Sequence, residues 1–246
     1  MNWRLIGYKE NSAFLNMAID EAVSEAVGAD ESPPTIRFYG WKPRAVSIGY
    51  FQSLVKEVDL EKCKEHCVDV VRRRTGGGAV FHDTEITYSI IGKQELFPKD
   101  IIESYKEICG CIISGLESLG IIAEFKPIND IIVNGKKISG NAQTRRGGVL
   151  LQHGTLLCDV DVNKMFSLLK VPDEKIKDKM IATVKERVTS INMLKEVRQD
   201  DVLAALKKGF TLGKEFRVSD LTEKECGRAK ELAETKYITN EWNRMR

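Results

Sequence analysis

The segment Arg72-Arg73-Arg74-Thr75-Gly76-Gly77-Gly78-Ala79-Val80-Phe81-His82-Asp83 sets a run of arginines against three consecutive glycines and then a histidine. Three adjacent glycines cost backbone entropy on folding. They point to main chain that must approach another group closely or adopt dihedrals closed to other residues. Exposed N–H groups in such a loop can hold an anion, and the guanidinium groups beside it can neutralise a phosphate or a carboxylate. The pattern is neither a Walker loop nor GxGxxG: no Gly-Lys-Ser/Thr closes it, and no regular βαβ unit surrounds it. The structural alternative is a glycine turn beside a solvated basic face.

A second segment runs Asn129-Asp130-Ile131-Ile132-Val133-Asn134-Gly135-Lys136-Lys137-Ile138-Ser139-Gly140. Asn-Gly tolerates positive φ and predicts a hairpin. Simple alternation puts Lys137 and Ser139 on one face of its second strand and Ile138 on the other. A lysine buried there needs an anion beside it, which a bound phosphate or carboxylate would supply; an exposed hairpin with two solvated lysines is the other reading. Asp130 either holds Mg2+ or caps the turn. The third segment is Gln152-His153-Gly154-Thr155-Leu156-Leu157. Of the three histidines, His82 and His153 fall in these segments, and His66 sits in a charged helix. A strand histidine is structural or catalytic, and no Ser-His-Asp order or nucleophile elbow is visible.

The elements that must carry these segments can be read from periodicity. Ser12 as N-cap, apolar residues from Phe14 to Val23 at helical spacing, and Gly28 as stop predict the first helix. Strands are predicted at Thr35–Tyr39 and Ala45–Tyr50, joined by Gly40-Trp41-Lys42-Pro43. A short helix over Asp59–Cys67 and a strand at Val68–Val71 lead into the arginines, and Ile86–Ile91 is a further strand. Ile101–Leu119 is the clearest helix, with Ile102, Tyr105, Cys109, Ile112, Ile113 and Leu116 as its stripe and Gly120 at its end. Ile131–Val133 and Lys137–Gly140 flank the Asn-Gly turn, and Val149–Leu157 follows the turn at Arg146-Gly147-Gly148. Helices are predicted at Asn163–Leu169, Asp173–Ile181, Asp201–Phe210 and Glu223–Tyr237, the last with Thr222 and Glu225 as a capping box. Hairpins mixed with helices indicate an α+β fold. No internal repeat, low-complexity run or linker interrupts the chain, so one domain over 1–246 is expected.

At 246 residues and 42% hydrophobic content the chain can bury a sizeable core and is not globally disordered. A net charge of +2, from 38 basic and 36 acidic residues, gives no electrostatic case for coating nucleic acid. No run approaches the roughly 20 apolar residues of a membrane span, and Met1–Lys9 lacks the apolar core of a secretory signal. A cytoplasmic enzyme with no membrane partner is expected. Six cysteines in a chain of this length do not form a disulfide framework, and neither Cys63/Cys67 nor Cys109/Cys111 has a second pair at zinc-site spacing.

Taken together the segments resemble the lipoate–protein ligase and octanoyltransferase family, which shares a fold with biotin–protein ligases; the nearest likeness is to the catalytic domain of lipoate–protein ligase A. The resemblance is carried by Arg73 to Asp83, Asn129-Asp130, Lys136-Lys137-Ile138-Ser139-Gly140 and His153-Gly154-Thr155-Leu156-Leu157. Ile36-Arg37-Phe38-Tyr39, Ser47-Ile48-Gly49-Tyr50-Phe51-Gln52 and the ending Glu241-Trp242-Asn243 also match, in the same order. It implies an α+β fold with a central mixed or antiparallel sheet flanked by helices, and a tunnel for a medium-chain acyl group under the glycine loop. Lys137 matches the lysine that contacts the acyl carbonyl and the α-phosphate of an acyl-adenylate, the catalytic position. Arg74, Thr75, Gly76, Gly77, Gly78 and Ala79 match the loop around acyl group and phosphate. His82, Ser139, Gly140, His153, Gly154 and Thr155 match the pocket lining. Asn129 and Asp130 match the nucleotide region, with Asp130 at Mg2+.

The family divides by mechanism. Ligases activate lipoate with ATP and Mg2+ and then acylate a lysine of a lipoyl domain, as found in 2-oxoacid dehydrogenase E2 subunits and the glycine cleavage H protein. Octanoyltransferases take octanoyl from an acyl carrier protein through a cysteine acyl-enzyme. One transferase type carries its cysteine three residues before the His-Gly pair, where this chain has Leu150. The other carries it in a longer loop before the hairpin, where this chain has Phe125-Lys126-Pro127-Ile128. Cys158 is nearest in sequence but follows the strand. The expected activity is therefore ATP-dependent lipoate ligation, with octanoyl transfer as the alternative. Many ligases add a small C-terminal domain, whereas this chain stops soon after Trp242-Asn243; three readings stay open, namely a separate small accessory subunit, transfer from a supplied adenylate, or a transferase. Gln143-Thr144-Arg145 and Gly148–Gly154 resemble the longer-loop transferases. A non-catalytic acyl- or biotin-binding regulator would carry a DNA-binding segment, and none is evident.

Overall fold

The computed structural model describes residues 2–170 and 174–246. Strands β1 (Asn2–Asn11), β2 (Thr35–Trp41), β3 (Ala45–Ile48), β4 (Asp69–Arg72), β5 (Val80–His82), β6 (Glu85–Lys93), β7 (Glu124–Lys126), β8 (Asp130–Val133), β9 (Lys136–Arg146), β10 (Val149–Leu157) and β11 (Glu215–Val218) alternate with helices. These are α1 (Ala13–Gly28), α2 (Leu54–Glu57), α3 (Leu60–Glu65), α4 (Ile101–Ser118), α5 (Val162–Leu168), α6 (Glu174–Arg187), α7 (Ile191–Leu194), α8 (Gln199–Thr211), α9 (Glu223–Leu232) and α10 (Asn240–Asn243).

A large sheet runs in the order β11-β1-β2-β6-β10-β9-β8-β7 and a small one β4-β3-β5. The β11, β1 and β2 strands are parallel, and the large sheet is antiparallel from β2 onward. The expected mixed sheet flanked by helices is what the chain forms. One face packs Ile36, Ile86, Tyr88, Ile90 and Leu150 against Ile108, Ile112 and Leu116 of α4 and Val202, Leu206 and Phe210 of α8. The other packs Tyr39, Ile91, Val149 and Leu151 against α1 and α9. The small sheet has its own apolar cluster of Val46, Ile48, Leu54, Val58, Cys63, Val68 and Leu168.

The caps read from the sequence are present. Ser12 accepts from the Leu15 N–H, and Gly120 ends α4 at φ +77°. Asn134 and Gly135, at φ +51° and +76°, make the hairpin turn. The α4 stripe differs in one place: Ile102 is exposed, and Ile108 takes the buried position. Tyr50 lies beyond β3, which ends at Ile48. The last predicted helix is α9 followed by a π-helical turn at Ala233–Tyr237, and the predicted start at Asp173 lies outside the described residues.

Four strands were not predicted: β5 and β7, each of three residues, and β1 and β11. β1 has Trp3 to Ile6 buried on both faces, so no polar–apolar alternation marks it. β11 is exposed at every residue and is held to β1 by backbone pairing. What locks β1 to α9 is a buried ion pair. Arg4 donates to both Glu225 oxygens at 2.7 and 2.6 Å and to Thr35 Oγ1 at 3.0 Å. Glu225 also closes the capping box on the Thr222 N–H and accepts from Ser32 Oγ. Burial opposes its ionisation, yet Arg4, Thr222 and Ser32 together hold the carboxyl below its ordinary range. Glu225→Ala leaves the Arg4 charge buried and unpaired, and chemical denaturation is expected to report a loss of about 3–5 kcal/mol.

Candidate active site

Strand parity builds the site. On β6 the residues Ile86, Tyr88 and Ile90 face α4 and α8, so Glu85, Thr87 and Ser89 face the other way. Across the antiparallel register His153 pairs with Ser89, Thr155 with Thr87 and Leu157 with Glu85, which brings both groups to one face. A cavity of about 340 Å3 lies there, inside the size range of small-molecule sites, roughly 300–1,000 Å3. Its wall combines Tyr39 and Trp41 of β2, Ser47 of β3, β5, and Lys137 and Gly140 to Ala142 of β9. Met165 of α5, Val184 of α6 and Val188 just beyond it complete the apolar part.

Of the residues predicted from sequence, Gly77, Gly78, Ala79, His82, Asn129, Lys137, Gly140, His153, Gly154 and Thr155 line this one cavity. Arg74, Thr75, Gly76, Ser139 and Asp130 stand outside the lining. Trp41, Ser47, Arg73, Glu85 and Asn141 line it and were not predicted. They come from five separate segments, and only the pairing of strands distant in sequence gathers them.

The arginines do not have the predicted use. Arg72 is fully buried and donates to the carbonyls of Gly49, Tyr50 and Gln52, and to Trp242 and Asn243, which ties the Trp-Asn ending to the base of the loop. Arg73, rather than Arg74, reaches the cavity. It donates to Ser47 O and Oγ at 2.9 and 2.8 Å and to the Gly76 and Gly78 carbonyls at 2.9 Å each. Burial lowers its pKa to about 10, which leaves it charged at neutral pH. Arg74 lies 3.5 Å from Glu21.

The glycines have a local reason. Gly77 sits at φ +93°, and a Cβ at Gly49 would lie 2.0 Å from the Gly77 carbonyl oxygen, so the two backbone segments touch. Thr75 starts the loop fully buried. Its hydroxyl bonds His153 Nε2 at 2.7 Å, and its carbonyl accepts from the Tyr50 N–H at 2.8 Å. Beneath His153 lies Asp20, which accepts from Arg37 at 2.8 Å, Ser89 at 2.9 Å and Tyr39 at 3.2 Å. Burial opposes the Asp20 charge, but His153, Arg37 and Ser89 outweigh it and lower its pKa. Burial likewise pushes the His153 pKa down, against the pull of Asp20 3.5 Å away.

Lys137 is placed by a β-bulge. Ile132 pairs with Lys137 and Ile131 with Ser139, so Ile138 is the extra residue. This corrects the simple alternation: Lys137 faces the cavity together with Gly140, and Ser139 is buried outside it. A Cβ at Gly140 would lie 2.8 Å from both Cε and Nζ of Lys137, so the absent side chain is where the lysine runs. The Lys137 amine is 2.6 Å from Asp130 Oδ1, an ion pair not aligned as a hydrogen bond.

The Asn129-Asp130 turn, predicted as a nucleotide and Mg2+ region, is knitted internally. Asn129 donates to the Asn141 carbonyl, and Asn141 donates back to the Asn129 carbonyl at 2.9 Å. Asn141 fills the space a side chain at Gly154 would need, 2.0 Å from that Cβ position. Asp130 is paired with a lysine, and among the described residues no three His, Cys, Asp or Glu side chains gather as a metal-ligand set. The turn therefore offers one carboxylate, Asp130, and that carboxylate is paired with Lys137.

No cysteine lines the cavity. Burial pushes the Cys109 thiol up to about 12 and those of Cys63 and Cys158 up to about 11, the reverse of what a thiolate nucleophile needs. Among the described residues no helix is long and apolar enough to cross a membrane.

Comparison with known proteins matches residues 12–211 to the lipoyl protein ligase A/B catalytic domain. The octanoyltransferase LipM of Brevibacillus brevis is 38% identical over 99% of this chain and 99% of its own. That of Bacillus subtilis is 37% identical over 99% and 98%. Among solved structures, the bi-partite lipoate protein ligase of Thermoplasma acidophilum superposes with a TM-score of 0.90 at 36% identity, over 99% of this chain and 96% of that one. These relatives correct the expected reaction: the curated ones carry the name octanoyltransferase, which overturns ATP-dependent lipoate ligation as the main reading. With 200 of its residues inside that domain match and full-length relatives at this identity, the chain belongs to the lipoyl protein ligase A/B catalytic-domain family.

Proposed function

We propose that this protein is an octanoyltransferase: it moves a medium-chain acyl group of the octanoyl type from a carrier-protein thioester to a lysine amine of a lipoyl domain. The observation that carries the reading is one apolar cavity bounded at once by the glycine loop and by the Lys137 amine. The curated relatives supply the reaction type. In the transfer the thioester C–S bond breaks, the amide C–N bond forms, and the attacking amine's proton ends on the departing thiol. As the carbonyl carbon becomes tetrahedral its oxygen gains negative charge. Lys137, already held toward the cavity by the bulge and by Asp130, is the cation placed to meet that charge. Asn129, Asn141 and Gly140 serve as its mounting. His153, Gly154, Thr155, Gly77, Gly78 and Ala79 form the acyl-contacting wall, with Thr75 and Arg74 supporting the loop from outside it. The cavity has no thiol, so the proposal routes the acyl group from donor to acceptor without a cysteine acyl-enzyme.

The test is incubation with octanoyl carrier protein and an isolated lipoyl domain, followed by intact-mass measurement of both proteins. One octanoyl group on the lipoyl domain, in amide linkage, is expected. Acylation that occurs only from free acid with a nucleoside triphosphate would overturn the reading, as would no acylation from the thioester. Lys137→Ala is expected to lower kcat/KM about 10²–10³-fold with the fold intact. Gly140→Ala leaves the lysine in the chain but places a methyl where its Cε and Nζ run. It is expected to lower kcat/KM at least about tenfold, with a thermal midpoint within a few degrees of the parent.

A further inference from the structure

Two buried ionisable side chains of the cavity wall, Arg73 and Glu85, are joined only through intervening groups. Arg73 is 5% exposed and, among the described residues, no carboxylate lies within ion-pair distance. Glu85 is also 5% exposed, and its contacts are His82 and the Asp83 N–H. An isolated buried ion is costly. Between these two stand a serine and a histidine. Arg73 Nη1 lies 2.8 Å from Ser47 Oγ, Ser47 Oγ 2.7 Å from His82 Nε2, and His82 Nδ1 2.5 Å from Glu85 Oε1.

Arginine only donates, so Ser47 Oγ accepts from Arg73. Ser47 Oγ shares one hydrogen bond with His82 Nε2, and His82 Nδ1 shares another with Glu85 Oε1, so an unbroken chain of polar contacts joins the guanidinium to the carboxyl group. Trp41 stacks on the imidazole at 3.8 Å and 18° and fixes the plane of the ring. The far side of the same guanidinium holds the Gly76 and Gly78 carbonyls.

We propose that Glu85, His82 and Ser47 are positioning residues for the glycine loop: through Arg73 they set where Gly76 to Gly78 lie over the cavity. Glu85 belongs to the large sheet, His82 and Ser47 to the small one, so the relay also fixes the two sheets relative to each other where the loop spans them. A merely space-filling serine would need none of this alignment. Ser47 serves the loop through Arg73, and nothing requires it to react.

The kinetic part rests on the transfer reading above; the exchange part does not. In Ser47→Ala, Arg73 loses the Oγ acceptor and His82 Nε2 loses its hydrogen-bond partner. Hydrogen exchange of the Tyr50 amide, which donates to the Thr75 carbonyl at the start of the loop, is expected to quicken at least about tenfold, while α4 amides keep their parent rates. For transfer, KM for the acyl donor is expected to rise more than kcat falls. Glu85→Gln keeps shape and removes the charge; it is expected to loosen the same loop to a smaller extent and serves as the deciding variant if Ser47→Ala does not fold. Ser47→Thr, which restores the hydroxyl, is expected to bring the Tyr50 exchange back toward the parent rate. Unchanged Tyr50 exchange in both Ser47→Ala and Glu85→Gln would overturn the proposal, and so would a rise spread equally over Tyr50 and α4. If transfer from the thioester is absent in the parent itself, only the function fails, and the exchange result still decides the relay.

Discussion

The constraint on which the site depends is a positive charge placed where no carboxylate touches it. Arg73 is satisfied by carbonyl oxygens of Ser47, Gly76 and Gly78 and by one hydroxyl. Carbonyl dipoles can hold a guanidinium only if the backbone bends to present them, and a run of glycines bends at little steric cost. The loop's shape is thus imposed by the charge under it. Gly77 at positive φ and its contact with Gly49 follow from the same geometry.

The small sheet exists, in this view, to carry that charge. Its three strands are short and its apolar cluster is modest. What it contributes to the site is Ser47, the arginine-bearing end of β4, and His82. The large sheet contributes the opposite wall, where antiparallel register sets His153 and Thr155 beside Ser89 and Thr87. Asp20, reached by Arg37, Ser89 and Tyr39, anchors that wall to α1. Two histidines thus back the glycine loop, one through Thr75 and one through Ser47 and Arg73.

Local patterns carried much of this into the sequence. Caps, the Asn-Gly turn and the α4 period depend on neighbours within a few residues, and those readings match the fold. The unusual segments were also legible, because clusters of glycine, arginine and histidine stand out against any background. What failed depended on distance. β1 is buried on both faces and β11 on neither, so neither shows alternation. The Lys137–Ser139 pairing failed because a bulge changes parity without leaving a mark in composition. Arg74 was preferred to Arg73 by motif, yet adjacent residues of an extended chain point to opposite sides, and only the position of Ser47 shows which side is the cavity. Glu85 and Asn141 gave no local signal at all; each acts on a partner brought to it by sheet pairing.

The curated relatives overturn the ligase reading, which had leaned in part on one turn. Asn129-Asp130 before a lysine hairpin looks like a nucleotide and Mg2+ turn when only the residue types are known. In the fold, Asp130 spends its charge on Lys137, and Asn129 is bound to Asn141. Asn129 and Asp130 thus sit around one amine at the cavity wall. A carboxylate at its side and a missing Cβ beneath it hold that amine at the cavity wall. The bulge, the Asn129–Asn141 staple and the arginine-set loop bound the cavity from three sides, and the proposed transfer rests on that arrangement.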